Sequence, residues 1–321
     1  MDTNAHARIV VGHDGSTGAD HALEVSISLA ERLRSSLDIV RTWSLDTHLP
    51  AVTQILGRSQ SDEDVSATVR RDLESDTARV RDQHPAVPVE LEVHRGSPAE
   101  VLVENSDGAR LLVVGARGHG GFRGLTLGSV TIHLLQRSRG PVLIVPSPEH
   151  AAKTAADVLH DVPAGAEAEA SSRPAPAGSI VVGHDGSPEA DRALLEALSL
   201  ADDLAVPLTV VRAWNIETAP RGSVWGEGGV SPHHEISRAV CEVLGTQVAP
   251  HAASHPSVSI EYRAMLGHPA EVLTRLSREA LMLVVGRHGR GRLAGLVVGS
   301  VSAQSVHRAT CPTLVVPHHE K

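Results

Sequence analysis

Short apolar runs alternate with amphipathic stretches along the first half of this chain. RIVVG (8–12) is an apolar run ending in glycine and predicts a strand. Over 18–35, Ala22, Val25, Leu29 and Leu33 recur at spacings of three and four, which predicts a helix. LDIVRTW (37–43) predicts a second strand, and the charged stretch 61–84 an exposed helix. PVELEVHRG (88–96) alternates apolar and polar positions, as a half-covered strand does. SPAEVLVENS (97–106) enters a helix through Ser-Pro. ARLLVVG (109–115) is a wholly apolar strand, GSVTIHLLQRS (128–138) a helix and GPVLIVP (140–146) a last strand. Strands that alternate with helices predict an α/β architecture, a parallel sheet covered on both faces and joined by right-handed crossovers.

The second half repeats the pattern. VVGHDGS occupies 10–16 and again 181–187, an offset of 171 residues. At the same offset Val40 maps to Val211, Trp43 to Trp214, Gly96 to Gly267, Gly115 to Gly286, Gly128 to Gly299 and Pro141 to Pro312. So long a period means two whole domains. We expect domains at 1–146 and 179–321, with an Ala/Pro/Ser-rich linker at 147–178 that carries at most one short helix near 149–160.

Composition narrows the function. The chain has 321 residues, is 41% hydrophobic and 21% charged, and carries a formal charge of -9. That field disfavours non-specific nucleic-acid binding. No apolar run reaches the roughly 18 residues of a membrane span, and the N-terminus leads straight into a strand, so a cytoplasmic location is expected. Both cysteines, Cys241 and Cys311, lie in the second half, so the first must fold without a disulfide. The only lysines are Lys153, in the linker, and Lys321, the last residue. A Walker-type phosphate loop, a kinase-type strand lysine and a Schiff-base lysine are therefore all missing from the domains.

Candidate chemistry concentrates in VVGARGHGGFRGLTLGSV (113–130) and its copy VVGRHGRGRLAGLVVGSV (284–301). Both read Gly, two residues, Gly, nine residues, Gly-Ser. The first glycine ends an apolar strand, where a ligand could approach backbone closely. The final Gly-Ser opens a helix, whose free N–H groups and dipole attract anions. In open parallel sheets ligands bind at the carboxyl ends of strands, and Asp14 leaves the first strand on that edge. Its carboxylate could accept from ribose hydroxyls, hold a metal, or merely cap a helix. Arg117, Arg123, Arg287, Arg290 and Arg292 could clamp phosphates or be solvated. Arg117 becomes His288 and Phe122 becomes Leu293 in the second copy, so the two sites are expected to differ in affinity. His13 and His184 read as structural, Trp43 and Trp214 as packing residues, and the pairs His233-His234 and His318-His319 lack metal spacing.

The opening aspartate and the Gly-x2-Gly-x9-Gly-Ser spacing resemble the universal stress protein family. Both halves carry them, and the likeness covers all but the linker. The resemblance implies two adenine nucleotide alpha hydrolase-like domains, each an open five-stranded parallel sheet of order 3-2-1-4-5 with helices on both faces. It implies ATP as ligand. Asp14 would meet the ribose, Val40 the adenine through backbone, and Gly115, Gly118, Gly128, Ser129 and Val130 the phosphates. The second site would use Asp185, Val211, Gly286, Gly289, Gly299, Ser300 and Val301. It also implies that the last strands, 141–146 and 312–317, pair the domains as a pseudo-dimer.

Neither half offers a serine–base pair, a carboxylate pair or a lysine suited to efficient hydrolysis. The reading is a stress-response regulator in which bound ATP switches conformation or partner. At most it hydrolyses ATP slowly, where a triphosphate lies near Asp14 and Mg2+. Cyclic AMP as ligand, and an ATPase or nucleotide-transferring enzyme on the same fold, are the alternatives. The protein partner and any further pairing of chains into homodimers are left open.

Overall fold

The computed structural model describes residues 8–44, 61–118, 127–151, 177–215, 217–219, 225–226, 229–230, 233–290 and 298–317. The chain divides into two compact units, Met1–Glu149 and His150–Lys321. The expected helix near 149–160 lies largely outside the described residues, as do Phe122, Arg123, Arg292, Leu293, His318 and His319.

The first unit runs β1 (Ile9–Gly12), α1 (Thr17–Leu33), β2 (Leu37–Trp43), α2 (Asp62–Gln83), β3 (Val89–Arg95), α3 (Pro98–Asn105), β4 (Leu111–Gly115), α4 (Ser129–Arg137) and β5 (Val142–Val145). Its strands lie in the order β3-β2-β1-β4-β5, and each neighbouring pair is parallel. This is the 3-2-1-4-5 order. It places β1 beside β4, with Val11 opposite Val113. The loops that leave those two strands therefore open on one edge of the sheet.

The strands are apolar because both faces are covered. Ile9, Val11, Leu37, Ile39, Leu111, Val113 and Leu143 are all inaccessible to solvent. Burial of each such side chain contributes roughly 1.5–3 kcal/mol. Helices α1 and α2 pack on one another, and α3 packs on α4, which gives a helix layer on each side of the sheet. Helix α1 turns Ala22, Leu23, Ile27, Ala30 and Leu33 inward, the face its 3.6-residue period predicts. Ser16 caps its start, accepting from the Ala19 N–H at 3.2 Å. Ser61 begins α2 with a reciprocal capping box to Asp64.

The second unit repeats the plan: β6 (Ile180–Gly183), α5 (Pro188–Leu204), β7 (Leu208–Trp214), a hairpin of β8 (Trp225–Gly226) and β9 (Gly229–Val230), α6 (His233–Ala252), β10 (Ile260–Leu266), α7 (Pro269–Leu276), β11 (Met282–Gly286), α8 (Ser300–Arg308) and β12 (Thr313–Val316). Its parallel strands lie in the order β10-β7-β6-β11-β12. The hairpin pairs β8 with β9 antiparallel. Trp43 and Trp214 are core residues, and their indole N–H groups donate to Ser66 and Ser237. Among the described residues no helix is long and apolar enough to cross a membrane.

Candidate functional site

In each unit the carboxyl ends of the first, second and fourth strands surround a cavity. The first unit's cavity is about 1030 Å³ and is walled by Asp14, Val40, Gly118, Gly128, Ser129 and Val130, among others. The second unit's is about 180 Å³, and Asp185, Val211, Gly289, Gly299, Ser300 and Val301 are among its walls. Gly115 and Gly286 line their cavities too. All fourteen expected residues are thus brought together in two matching groups of seven.

The helices that begin at the glycine motif have no side-chain cap, as α3 and α7 also do not, but theirs are the N-cap residues that line the cavities. Gly128 and Gly299 stand at the N-caps of α4 and α8, and neither has a side chain to cap with. The amides of Ser129, Val130 and Thr131 precede the first intrahelical bond, which runs from the Ile132 N–H to the Gly128 carbonyl. Those amides are left to whatever enters the cavity, together with the positive end of the helix dipole. Helices α1, α2 and α5 spend a serine on the same job. The hydroxyls of Thr131 and Ser302 donate back to the carbonyls of Gly115 (3.0 Å) and Gly286 (2.6 Å), which ties each helix start to its strand.

The glycines have different reasons. A Cβ on Gly115 would stand 2.8 Å from the Gly18 carbonyl oxygen, and one on Gly286 3.0 Å from that of Glu189. Space at these positions is taken by the first turn of α1 or α5, so these glycines serve helix–strand packing before any ligand. A Cβ on Gly118 would run into the Asp14 carboxylate, and one on Gly289 into that of Asp185. At Gly128 a Cβ meets nothing nearer than 3.6 Å, so the folded chain itself would admit alanine there.

Asp14 and Asp185 are engaged by their own turns. Asp14 Oδ1 accepts from the Ser16 N–H (3.0 Å) and hydroxyl (2.6 Å). Asp185 Oδ1 accepts likewise from Ser187, and its Oδ2 accepts from the Arg290 N–H at 2.9 Å. Asp185 therefore holds the turn after the first strand of its unit against the glycine loop after the fourth. Burial pushes the Asp185 carboxyl up, but the Ser187 hydroxyl, the Arg290 and Ser187 amides and the Arg290 charge outweigh it and hold the group below its ordinary value. Val40 and Val211 are buried, and their carbonyls accept from the His13 and His184 amides at 2.9 Å, leaving one lone pair each.

Behind each aspartate lies a buried relay. His13 Nε2 faces Asp20 Oδ1 at 3.1 Å, and its Nδ1 faces a terminal nitrogen of Arg41 at 2.6 Å. Arginine only donates, so Nδ1 accepts and the proton sits on Nε2 toward Asp20. Burial first, then the Arg41 charge, pull the His13 pKa below 6.5 against the raising effect of Asp20. In the second unit His184, Asp191 and Arg212 repeat the arrangement at 2.9 Å on both ring nitrogens. Both imidazoles are neutral struts. The fourth member differs, Arg41 pairing with Asp76 at 2.7 Å and Arg212 with Gln247 at 2.7 Å, and Asp191 also has His251 Nε2 at 3.8 Å where the first unit carries Val80. Sequence reasoning passed over these partners, although Asp20/Asp191, Arg41/Arg212 and Thr131/Ser302 recur at the repeat offset with their hydrogen-bonding capacity intact.

The Universal stress protein family model matches residues 6–146 and again 177–317. The chain belongs to the universal stress protein family. A universal stress protein of Mycobacterium tuberculosis is 30% identical over 324 residues, covering 97% of each chain. One from Mycolicibacterium smegmatis is 31% identical over 230 residues, covering 71% of this chain and 68% of that one. The crystal structure of a universal stress protein from Archaeoglobus fulgidus shares the tandem fold, with a TM-score of 0.61 at 18% identity, covering 98% of this chain and 97% of that one.

Proposed function

We propose that this universal stress protein binds ATP and uses it as a regulatory ligand. The observation that carries the reading is the uncapped start of α4, open to a cavity that also holds Asp14 and Val40. Free amides at Ser129 and Val130 with the helix dipole suit a phosphate chain. The carboxyl end of β2 lies across the cavity, where the spare lone pair of Val40 suits an adenine amino group. Asp14 suits the ribose between them. Among the described residues no three carboxylate, histidine or cysteine side chains converge, so any magnesium would be held chiefly by the phosphates.

The described groups on this edge are engaged in holding the fold rather than poised for turnover. His13, the buried imidazole next to Asp14, has both ring nitrogens engaged. The Asp14 carboxylate already clamps Ser16 and touches the second glycine of the loop. A triphosphate that recruits either group would loosen the loop at 115–118. A nucleotide-dependent surface for a protein partner follows, and with it a role in stress response. Mass spectrometry of nucleotide released from gently purified protein tests this. We expect ATP, reduced in Gly128→Ala, a substitution the fold accommodates. If the wild type releases nothing, and none of ATP, ADP or cyclic AMP binds on addition, the reading is wrong.

A further inference from the structure

Arg290 has no guanidinium counterpart in the first unit, where the matching residue is His119. It lines the second cavity. Its backbone is anchored by the bond to Asp185, and one terminal nitrogen of its side chain comes down on Gly186. A terminal nitrogen of Arg212 approaches the same point, 3.2 Å from where a Cβ on Gly186 would stand. Gly186 has φ +81°, a conformation that keeps the position glycine, so no side chain separates the two guanidiniums. Arg212 spends its Nε on the His184 carbonyl and that same terminal nitrogen on His184 and Gln247, so its other terminal nitrogen is the one left to donate. Arg290 spends none of its side-chain N–H groups on an acceptor among the described residues. Asp185, the nearest carboxylate, takes all its bonds from backbone amides and the Ser187 hydroxyl. Two like charges therefore converge beside Gly186, next to Asp185 of the cavity wall; the Arg290 guanidinium has donors to spare, and Arg212 keeps only its other terminal nitrogen. Guanidinium pairs of this kind match phosphate oxygens.

We propose that Arg212 and Arg290 form a second phosphate-binding point in the second unit, at the sugar end of its nucleotide site. This rests on the nucleotide reading above and sharpens it. The second site would favour an adenine nucleotide phosphorylated on the ribose as well as at the 5′ end. A free phosphate ion offers the same chemistry.

The test uses the full chain and calorimetric titration with adenosine 3′,5′-bisphosphate, AMP and inorganic phosphate. We expect one site per chain to take the bisphosphate at least about tenfold more tightly than AMP. Arg290→His, which installs the first unit's residue, should abolish that preference. Arg290→Lys should keep part of it. Inorganic phosphate that binds once per chain in an Arg290-dependent way would show that the free ion also fills the point. Equal affinity for bisphosphate and AMP in the wild type, or a preference that survives Arg290→His, overturns the proposal. Should no adenine nucleotide bind while phosphate still binds through Arg290, the nucleotide reading falls and the phosphate point stands. If phosphate fails as well, both fall.

Discussion

The two cavities are built on one plan, yet one is roomy and the other small, about 1030 against 180 Å³. The shared parts are those that hold the edge of the sheet together: the aspartate turn, the buried histidine relay, the glycine packed on a helix start. The variable parts face the cavity. Asp72 and Asp76 wall the first, and the corresponding positions on α6 are Val243 and Gln247. Thr42 becomes Ala213, Arg117 becomes His288, and Arg290 has no counterpart guanidinium. Duplication has kept the frame and freed the contents.

The largest effect should come from crowding the frame. Gly115→Ala puts a methyl 2.8–2.9 Å from the Gly18 carbonyl group, which is backbone and cannot swing away. Gly286→Ala meets backbone at 3.0–3.2 Å. We expect chemical denaturation to show losses of about 2–3 kcal/mol for the first and about 1–2 for the second. Equal losses, or none, would mean that the two helix–strand contacts are not the graded pair described.

This also marks what was legible in the sequence. Apolar runs located β1, β4 and β5, strands covered on both faces, while β3 was legible through its alternation of apolar and polar positions. The 3.6-residue spacing of Ala22, Leu29 and Leu33 located α1 within about two residues at each end. The repeat supplied the tandem architecture. The purpose of Gly115 was hidden, since the carbonyl it avoids belongs to a helix start far away in sequence. The relay was hidden for the same reason: Asp20, Arg41 and Asp76 converge on His13 only once α1, β2 and α2 are packed. Two-residue strands such as β8 and β9 are too short to show any period.

The next effect concerns the ligand. If the contents of the cavities differ as described, ATP titrated into the full chain should bind in two steps whose affinities differ by at least about tenfold, or 1.4 kcal/mol. The tighter step should weaken in Gly128→Ala, whose methyl has room in the protein but points where phosphates are proposed to lie. Two indistinguishable steps would erase the functional half of the comparison and leave only its geometry.

A smaller effect should separate the relays. Arg41–Asp76 is an ion pair with a partly exposed carboxylate, whereas Arg212–Gln247 is charged on one side only. Asp76→Asn should cost the first unit less than about 1 kcal/mol, and the cost should shrink further as salt is raised. Gln247→Glu should bring the second unit a gain of a few tenths. Thermal melts of both variants at low and high salt measure this. Salt-independent changes would show that shape rather than charge holds the fourth member.

The smallest difference is expected where the copies agree most. His13 and His184 both have pKa values lowered chiefly by burial, with Arg41 or Arg212 adding to it. The unfolded chain therefore takes up protons at these two positions before the folded one does. Their contribution to stability is complete above about pH 6.5 and is lost as pH falls from there toward the folded values. Protonation would also put a hydrogen on Nδ1, where Arg41 and Arg212 donate, so the relay cannot survive it. Denaturation at pH 7.5 and 5.5 should thus show wild type losing stability on acidification. His13→Asn and His184→Asn, which keep a hydrogen-bonding side chain without a titrating ring, should each lose less. Similar flattening by the two substitutions is expected, because the struts are alike even where the cavities are not. A steeper acid loss in either variant would reverse the sign argued here and point to a charged imidazole in the folded protein.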